Sequence, residues 1–390
     1  MPEFGSALRS HWLLDPAVSY LNHGTVGAPP RQVLEVQQAI RDEIERQPAR
    51  FLLRELADVD AVGMDPPARL RVAAGAIAPF FGVAADDLVF VDNATTGVNA
   101  VLRSLPFRPG QEIVLTGLGY GAVARTAAYV ASRTGATVRT IAMPGPGAPV
   151  DSFVDAIAAG LGPQTDVLVV DHVSAETALV LPVAAIAAEC HARGVRVLVD
   201  GAHAPGAIAL DIAALGVDWY VGNLHKWAWT PRSSAILWAD PAHQADLHPT
   251  VISWGYGNGF AAEFDLLGTR DPSAHLSAPA AIELMQSWGF ADICAHNHDL
   301  AMWTGNYLAE RWGREFLTPD PMIGTMVNVA LPASAGATLA DAKRWKDSLL
   351  FEHGIEVPVF GDGDRLTMRV STQVYVDRSE IERLADVVTP

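Results

Sequence analysis

Cysteine is nearly missing: Cys190 and Cys294 are the only two in 390 residues, too few for a disulfide framework or a thiolate metal cage. No metal site is expected. Half of the residues are hydrophobic, yet no apolar run approaches the roughly 18 residues that a membrane-spanning helix needs. No membrane partner follows. Cation clusters are missing too, and 27 basic against 44 acidic residues leave a net charge of −17, which repels a phosphate backbone. Nucleic acid is excluded as a partner. Residues 1–20 carry Glu3 and Asp15 and no basic stretch leading into an apolar one, so the expected compartment is the cytoplasm.

At roughly 150 residues per domain the length fits two lobes. Between Leu88 and Ala239 short β-branched runs alternate with alanine-rich helical stretches, the pattern of a layered α/β sheet. Strands are expected at 88–91, 112–116, 137–141, 166–171, 196–200, 219–222 and 234–238. Most are far enough apart for a crossover helix and hence parallel, but the last connection is too short and predicts an antiparallel strand, so the sheet is mixed. Past Asp240 this rhythm stops in a passage holding Gly255, Gly257 and Gly259, which no strand feeds and which is therefore no dinucleotide fingerprint. A smaller α+β lobe follows, with a helical stretch 272–312, a strand 326–331, a helix 339–353, a strand pair 355–360 and 366–371, and a last helix 378–388. The expected division is an N-terminal segment 1–18 packing with the small lobe, a large domain 19–245 and a small domain 246–390.

In an open α/β sheet ligands lie beyond the carboxyl ends of the strands. Four such ends carry polar residues. After the first strand comes Asp92-Asn93-Ala94-Thr95-Thr96-Gly97, which sets the Thr95 and Thr96 hydroxyls and free N–H groups at a helix start, a phosphate cradle or an ordinary helix cap. The fifth strand runs into Asp200-Gly201-Ala202-His203, where a carboxylate with little water needs a cationic partner or serves as a loop cap. The fourth runs into Asp171-His172-Val173-Ser174-Ala175-Glu176-Thr177.

The sixth strand leads into Asn223-Leu224-His225-Lys226-Trp227. Cations here are written as Arg 24 times and as Lys three times, and Lys226 stands alone in the first 342 residues. Arginine cannot shed its proton and attack a carbonyl, whereas a lysine can once burial lowers its pKa. A lone surface lysine is the alternative. Tyr120, between Gly119 and Gly121, offers either a core ring or an aromatic face for a planar ligand. A phosphate cradle, a carboxylate for a ring cation, an amine for an aldehyde and an aromatic face together describe pyridoxal 5′-phosphate (PLP).

With these residues in view, the chain resembles the class V aminotransferase family of fold type I PLP enzymes, and within it the isopenicillin N epimerase-like branch. The carrying segments are Leu21-Asn22-His23-Gly24-Thr25-Val26-Gly27-Ala28, Asn93 to Gly97, Asp200-Gly201-Ala202-His203-Ala204-Pro205-Gly206, His225-Lys226-Trp227, Gly268-Thr269-Arg270-Asp271-Pro272, and Arg369-Val370-Ser371 before Tyr375. The resemblance implies a three-layer α/β fold and a PLP-dependent activity on an amino acid or amino-acid-containing peptide. It implies that Lys226 takes the cofactor aldehyde, that Asp200 meets the ring nitrogen, that His203 and Ser174 lie near the ring hydroxyl, and that Tyr120 stacks on the ring. Phosphate contacts would come from Thr95, Thr96, Asn223 and His225, with Thr269 reaching over from a second subunit of a homodimer.

Asn22, His23 and Arg369 are implied on the substrate side, Arg369 as the fork for the carboxylate. Arg270 either reads a distal acidic group or makes an interface ion pair. Desulfurases of this family need a nucleophilic cysteine shortly before the stretch matching Arg369; Cys190 and Cys294 sit in helical patterns elsewhere, which disfavours persulfide chemistry. Epimerisation or racemisation is the first expectation, with Tyr120 or His23 opposite Lys226. A C–S lyase, an aminotransferase and a non-catalytic PLP-binding protein are the alternatives.

Overall fold

The computed structural model describes residues 3–389. Met1, Pro2 and Pro390, at the outer ends of the expected first and last segments, lie outside the described residues. Near-continuous apolar runs form the central sheet: β1 (Leu88–Val91), β2 (Glu112–Thr116), β3 (Thr137–Ile141), β4 (Thr165–Asp171), β5 (Arg196–Asp200), β6 (Trp219–Asn223) and β7 (Ala235–Ala239). Six of these strands are covered on both faces and have no polar side to write, so alternation is absent; the exception is the edge strand β3, Thr-Val-Arg-Thr-Ile, of which only Ile141 is buried. The order is β1-β7-β6-β5-β4-β2-β3. Only β7 runs against its two neighbours, β1 and β6; the other pairs are parallel. The sheet is mixed as expected.

Helices α1 (Ala94–Ser104), α2 (Gly121–Thr134), α3 (Val150–Gly160) and α4 (Val183–His191) follow the first four strands. From β2 the chain moves outward to β3 and then returns across it to β4, so a crevice opens beyond the carboxyl ends of β2 and β4. Tyr120 and Asp171 lie at that crevice.

The C-terminal part has an antiparallel sheet of β8 (Met326–Ala330), β9 (Val359–Asp362) and β10 (Arg365–Ser371), with β10 central. The expected strand 355–360 is split. Pro358 has no N–H for a ladder, and the piece before it, Ile355–Glu356, pairs instead with Ser19–Tyr20 in a parallel two-stranded sheet. Two helices there, α5 (Leu339–Phe351) and α6 (Arg378–Val387), begin on capping boxes, Thr338 with Asp341 and Asp377 with Glu380, which satisfy N–H groups that the first turn leaves free. Among the described residues no helix is long and apolar enough to cross a membrane.

An aromatic knot joins the start of the chain to both sheets. Trp12 is 1% exposed, packs edge-on to Trp229, Trp288 and Tyr375, and donates its Nε1–H to the Ala28 carbonyl at 3.0 Å. Trp12→Ala removes these contacts together and should destabilise the protein by about 3–5 kcal/mol, read as a lower urea midpoint. A midpoint shift within error would show that the knot contributes little.

Candidate active site

Beyond the carboxyl ends of β4, β5 and β6 lies a cleft of about 1300 Å³ that opens to solvent. Asn22, Thr95, Tyr120, Asp171, Asp200, His203, Asn223, His225, Lys226 and Arg369 border it. Residues far apart in sequence thus meet at one place.

Lys226 stands on a turn that two glycines hold from either side. Gly27 has φ +66°, and a Cβ there would sit 1.8 Å from the His225 carbonyl oxygen; Gly206 has φ +82° and would meet that of Trp227 at 2.4 Å. Both positions require glycine, for the left-handed backbone and for the close approach. Trp227, fully buried, anchors the turn, and His23 ties it from behind, its Nε2 lying 2.9 Å from the Lys226 carbonyl and its Nδ1 2.8 Å from the Tyr375 hydroxyl.

The Lys226 Nζ lies 3.0 Å from His203 Nε2. Burial, with help from the Arg369 charge, lowers the Lys226 pKa to about 7 against the pull of Asp200 and Asp171. Burial first and Lys226 second hold His203 well below the usual histidine range, so its ring is neutral at pH 7 and faces Lys226 as a hydrogen-bonding partner. The amine is a nucleophile only when neutral, so capture of an added aldehyde by the cofactor-free protein should rise through about pH 7 and level off above it. A rise delayed to the ordinary lysine range would contradict the burial effect.

Asp200, 3% exposed, accepts from the Ala202 N–H at 3.0 Å. Burial raises its pKa, and that hydrogen bond and Lys226 restrain the rise. Arg369, also 3% exposed, donates through Nη2 to Thr25 Oγ1 at 2.7 Å and to Asn22 Oδ1 at 3.3 Å, and through Nη1 to the Ala175 carbonyl. Among the described residues no carboxylate closes an ion pair with it, and its Nε finds no partner. A buried guanidinium in this state suits an incoming carboxylate.

Other expected residues are placed differently. His23 is buried behind the Lys226 turn and does not border the cleft; Thr25, two positions on, borders it instead. Ser174 is fully buried, its hydroxyl joined to Thr177 Oγ1 and accepting from the Leu179 N–H at 3.3 Å, so it closes a turn rather than facing the cleft. Thr95 borders the cleft, whereas the Thr96 hydroxyl turns to Asn93 Oδ1 at 3.2 Å. Asn223 reaches the cleft but spends its Oδ1 on the Ala94 N–H at 2.8 Å. Thr269 lies in a different cavity, beside Leu53 and Trp254. Arg270 pairs with both Asp92 oxygens at 3.0 Å, an ion pair within the chain. Thr25, Asp171, Glu176 and Glu356 are bordering residues that the sequence reading did not single out. Cys190 and Cys294 are absent from the border, and burial pushes each thiol up to about 12.

These residues fit PLP on structural grounds. A buried carboxylate lacks a bonded cation, the His203 Nδ1 is buried without a partner, and a primary amine of lowered pKa faces the same space as a helix N-terminus with threonine at its mouth. Each of these groups matches one group on the cofactor.

Comparison with known proteins adds four likenesses. The aminotransferase class-V family model matches residues 59–384. The isopenicillin N epimerase of Streptomyces clavuligerus is 33% identical over 97% of this chain and 96% of its own, and a probable chloroplastic L-cysteine desulfhydrase of Arabidopsis thaliana is 31% identical over 96% and 83%. A structure of a mutant of C-DES, with glycine covalently linked to its PLP cofactor, superposes with a TM-score of 0.78 at 23% identity, covering 97% of this chain and 98% of that one.

Proposed function

This chain belongs to the class V aminotransferase family, and on that premise we propose that it deprotonates the Cα of an amino acid, or of a peptide with a free amino-acid end, and epimerises that centre. It is a PLP-dependent enzyme of fold type I. The observation that carries the reading is the pairing, in one cleft, of a lysine whose pKa is lowered to about 7 with a buried arginine that lacks a carboxylate partner.

Bound PLP supplies an electron sink for the charge left at Cα when its proton departs. The chain supplies everything else. Lys226 Nζ would hold the cofactor's aldehyde carbon and, as a neutral amine, would serve as the base for the Cα proton on its own face. Asp200 would meet the ring nitrogen as an anion, Tyr120 and His203 would lie beside the ring, and Thr95, Asn223 and His225 would hold the phosphate. Arg369, steadied by Thr25 and Asn22, fixes the substrate carboxylate and so sets which bond at Cα is presented for cleavage. Tyr120, after β2, enters from the far side of Asp171 and Asp200 relative to Lys226, which supports it as the group that returns a proton to the opposite face.

A second reading, loss of a β-substituent as in a C–S lyase, is favoured by the likeness to the desulfhydrase. It shares every step up to deprotonation. We further propose a homodimer, supported by exposed Leu53 and Trp254 (72% and 81%) beside the cavity that holds Thr269; packing there would bring Thr269 to the partner's phosphate.

Incubating the loaded enzyme with amino acids and short peptides in heavy water tests the reaction. Deuterium at Cα with inversion supports epimerisation; pyruvate and ammonia support elimination and overturn the first reading. No exchange with any substrate would defeat both.

A further inference from the structure

Asp171 is a buried carboxyl group on the border of the cleft that the chemistry above leaves without a task. It ends β4 as Asp200 ends β5, and the parallel register sets the two side by side, so their side chains leave the sheet on the same side. They are 5% and 3% exposed and border the same cleft. On the β2 side a Cβ built at Gly119 would stand 3.5 Å from one Asp171 carboxyl oxygen and 3.9 Å from the Thr116 hydroxyl, and neither Gly119 nor Thr116 carries charge. Behind the pair, His172 Nδ1 and the Tyr220 hydroxyl bond each other at 3.0 Å; burial keeps both neutral. His203 is neutral, and Arg369 is engaged with Thr25, Asn22 and Ala175. Lys226 is the cation that acts on both carboxyls.

Two carboxylates in one water-poor site do not both ionise when a single cation faces them. The Ala202 N–H serves Asp200 from outside its own residue, whereas Asp171 has only its own backbone N–H. Asp200 is therefore the better-stabilised anion. We propose that the two groups carry one negative charge between them, with the proton on Asp171, which acts as a positioning residue that holds Asp200 as the carboxylate facing the cofactor's ring nitrogen. Burial and the neighbouring Asp200 charge push Asp171 well above the usual carboxyl range, in line with this assignment.

The inference rests on the PLP reading for its consequence but not for its first test. Infrared spectra of the cofactor-free protein at pH 7 should show the carbonyl band of a buried protonated carboxyl, lost in Asp171→Asn. Absence of the band overturns the proposal. In the loaded protein, Asp171→Asn imitates a neutral acid, so the pH at which the bound cofactor's absorbance changes should move by less than about one unit. A larger shift means that Asp171 carries charge, and overturns it. Asp171→Leu removes the polar neighbour and should shift that transition and weaken PLP retention about tenfold; a leucine variant indistinguishable from wild type also overturns it. If the leucine variant does not fold, the band and the asparagine variant decide. A wild type that shows the band but binds no PLP strikes the cofactor reading and leaves the shared charge standing.

Discussion

Lys226→Ala should strip the purified enzyme of its cofactor absorbance and lower turnover by on the order of 10⁴-fold. Both effects have one cause. On the proposed function the Nζ atom both bonds the aldehyde and acts as the base for the Cα proton, and nothing near it can take over: His203, 3.0 Å away, is held neutral and has no primary amine, and Lys346, the other lysine bordering the cleft, is exposed on α5. The substitution leaves the turn intact because Gly27, Gly206 and Trp227 set its backbone. Loss of activity should therefore come without loss of fold, checked by a urea midpoint equal to that of the cofactor-free wild type. A small external amine should restore part of the rate. Retention of the absorbance band by the variant would remove Lys226 from the centre of the site.

Arg369→Met should lower kcat/KM for a substrate with a free α-carboxylate by on the order of 10²–10³-fold. Removing one member of a buried, hydrogen-bonded charge pair costs about 3–5 kcal/mol, and each 1.36 kcal/mol is about a factor of ten. Arg369→Lys should recover little, because a point charge cannot reproduce the fork that already spans Thr25, Asn22 and Ala175. The control is the substrate amide. Wild type should discriminate strongly against it, and the methionine variant should treat acid and amide nearly alike. Equal losses for both would mean that Arg369 shapes the cleft without binding the carboxylate.

The sheet is legible in the sequence because all its strands but the edge strand β3 are buried on both faces and write near-unbroken apolar runs, and because polar residues stop these runs where the cleft begins. The strand 355–360 is not, since Pro358 divides two pieces whose partners, Ser19–Tyr20 and β10, lie far away in the chain. Within the site the limit is rotational. His23 and Thr25 stand two apart on one short helical turn, His23–Val26, and two steps of about 100° put them on opposite sides. One faces the Lys226 carbonyl and the other faces Arg369. Thr95 and Thr96 divide in the same way at the start of α1. Asp171 escapes for another reason: its chemistry depends on the register between β4 and β5, which no local pattern states.

The hydrogen bonds of His23 link the backbone of Lys226 to Tyr375, 352 positions further along the chain than His23 itself. During synthesis a ribosome releases the polypeptide from its first residue onward, so the central sheet could emerge and collapse while Tyr375 is still unmade. The aldehyde-binding turn would then lack its rear support. Uptake of the vitamin should then come late, and a stalled fragment ending before Tyr375 should remain colourless.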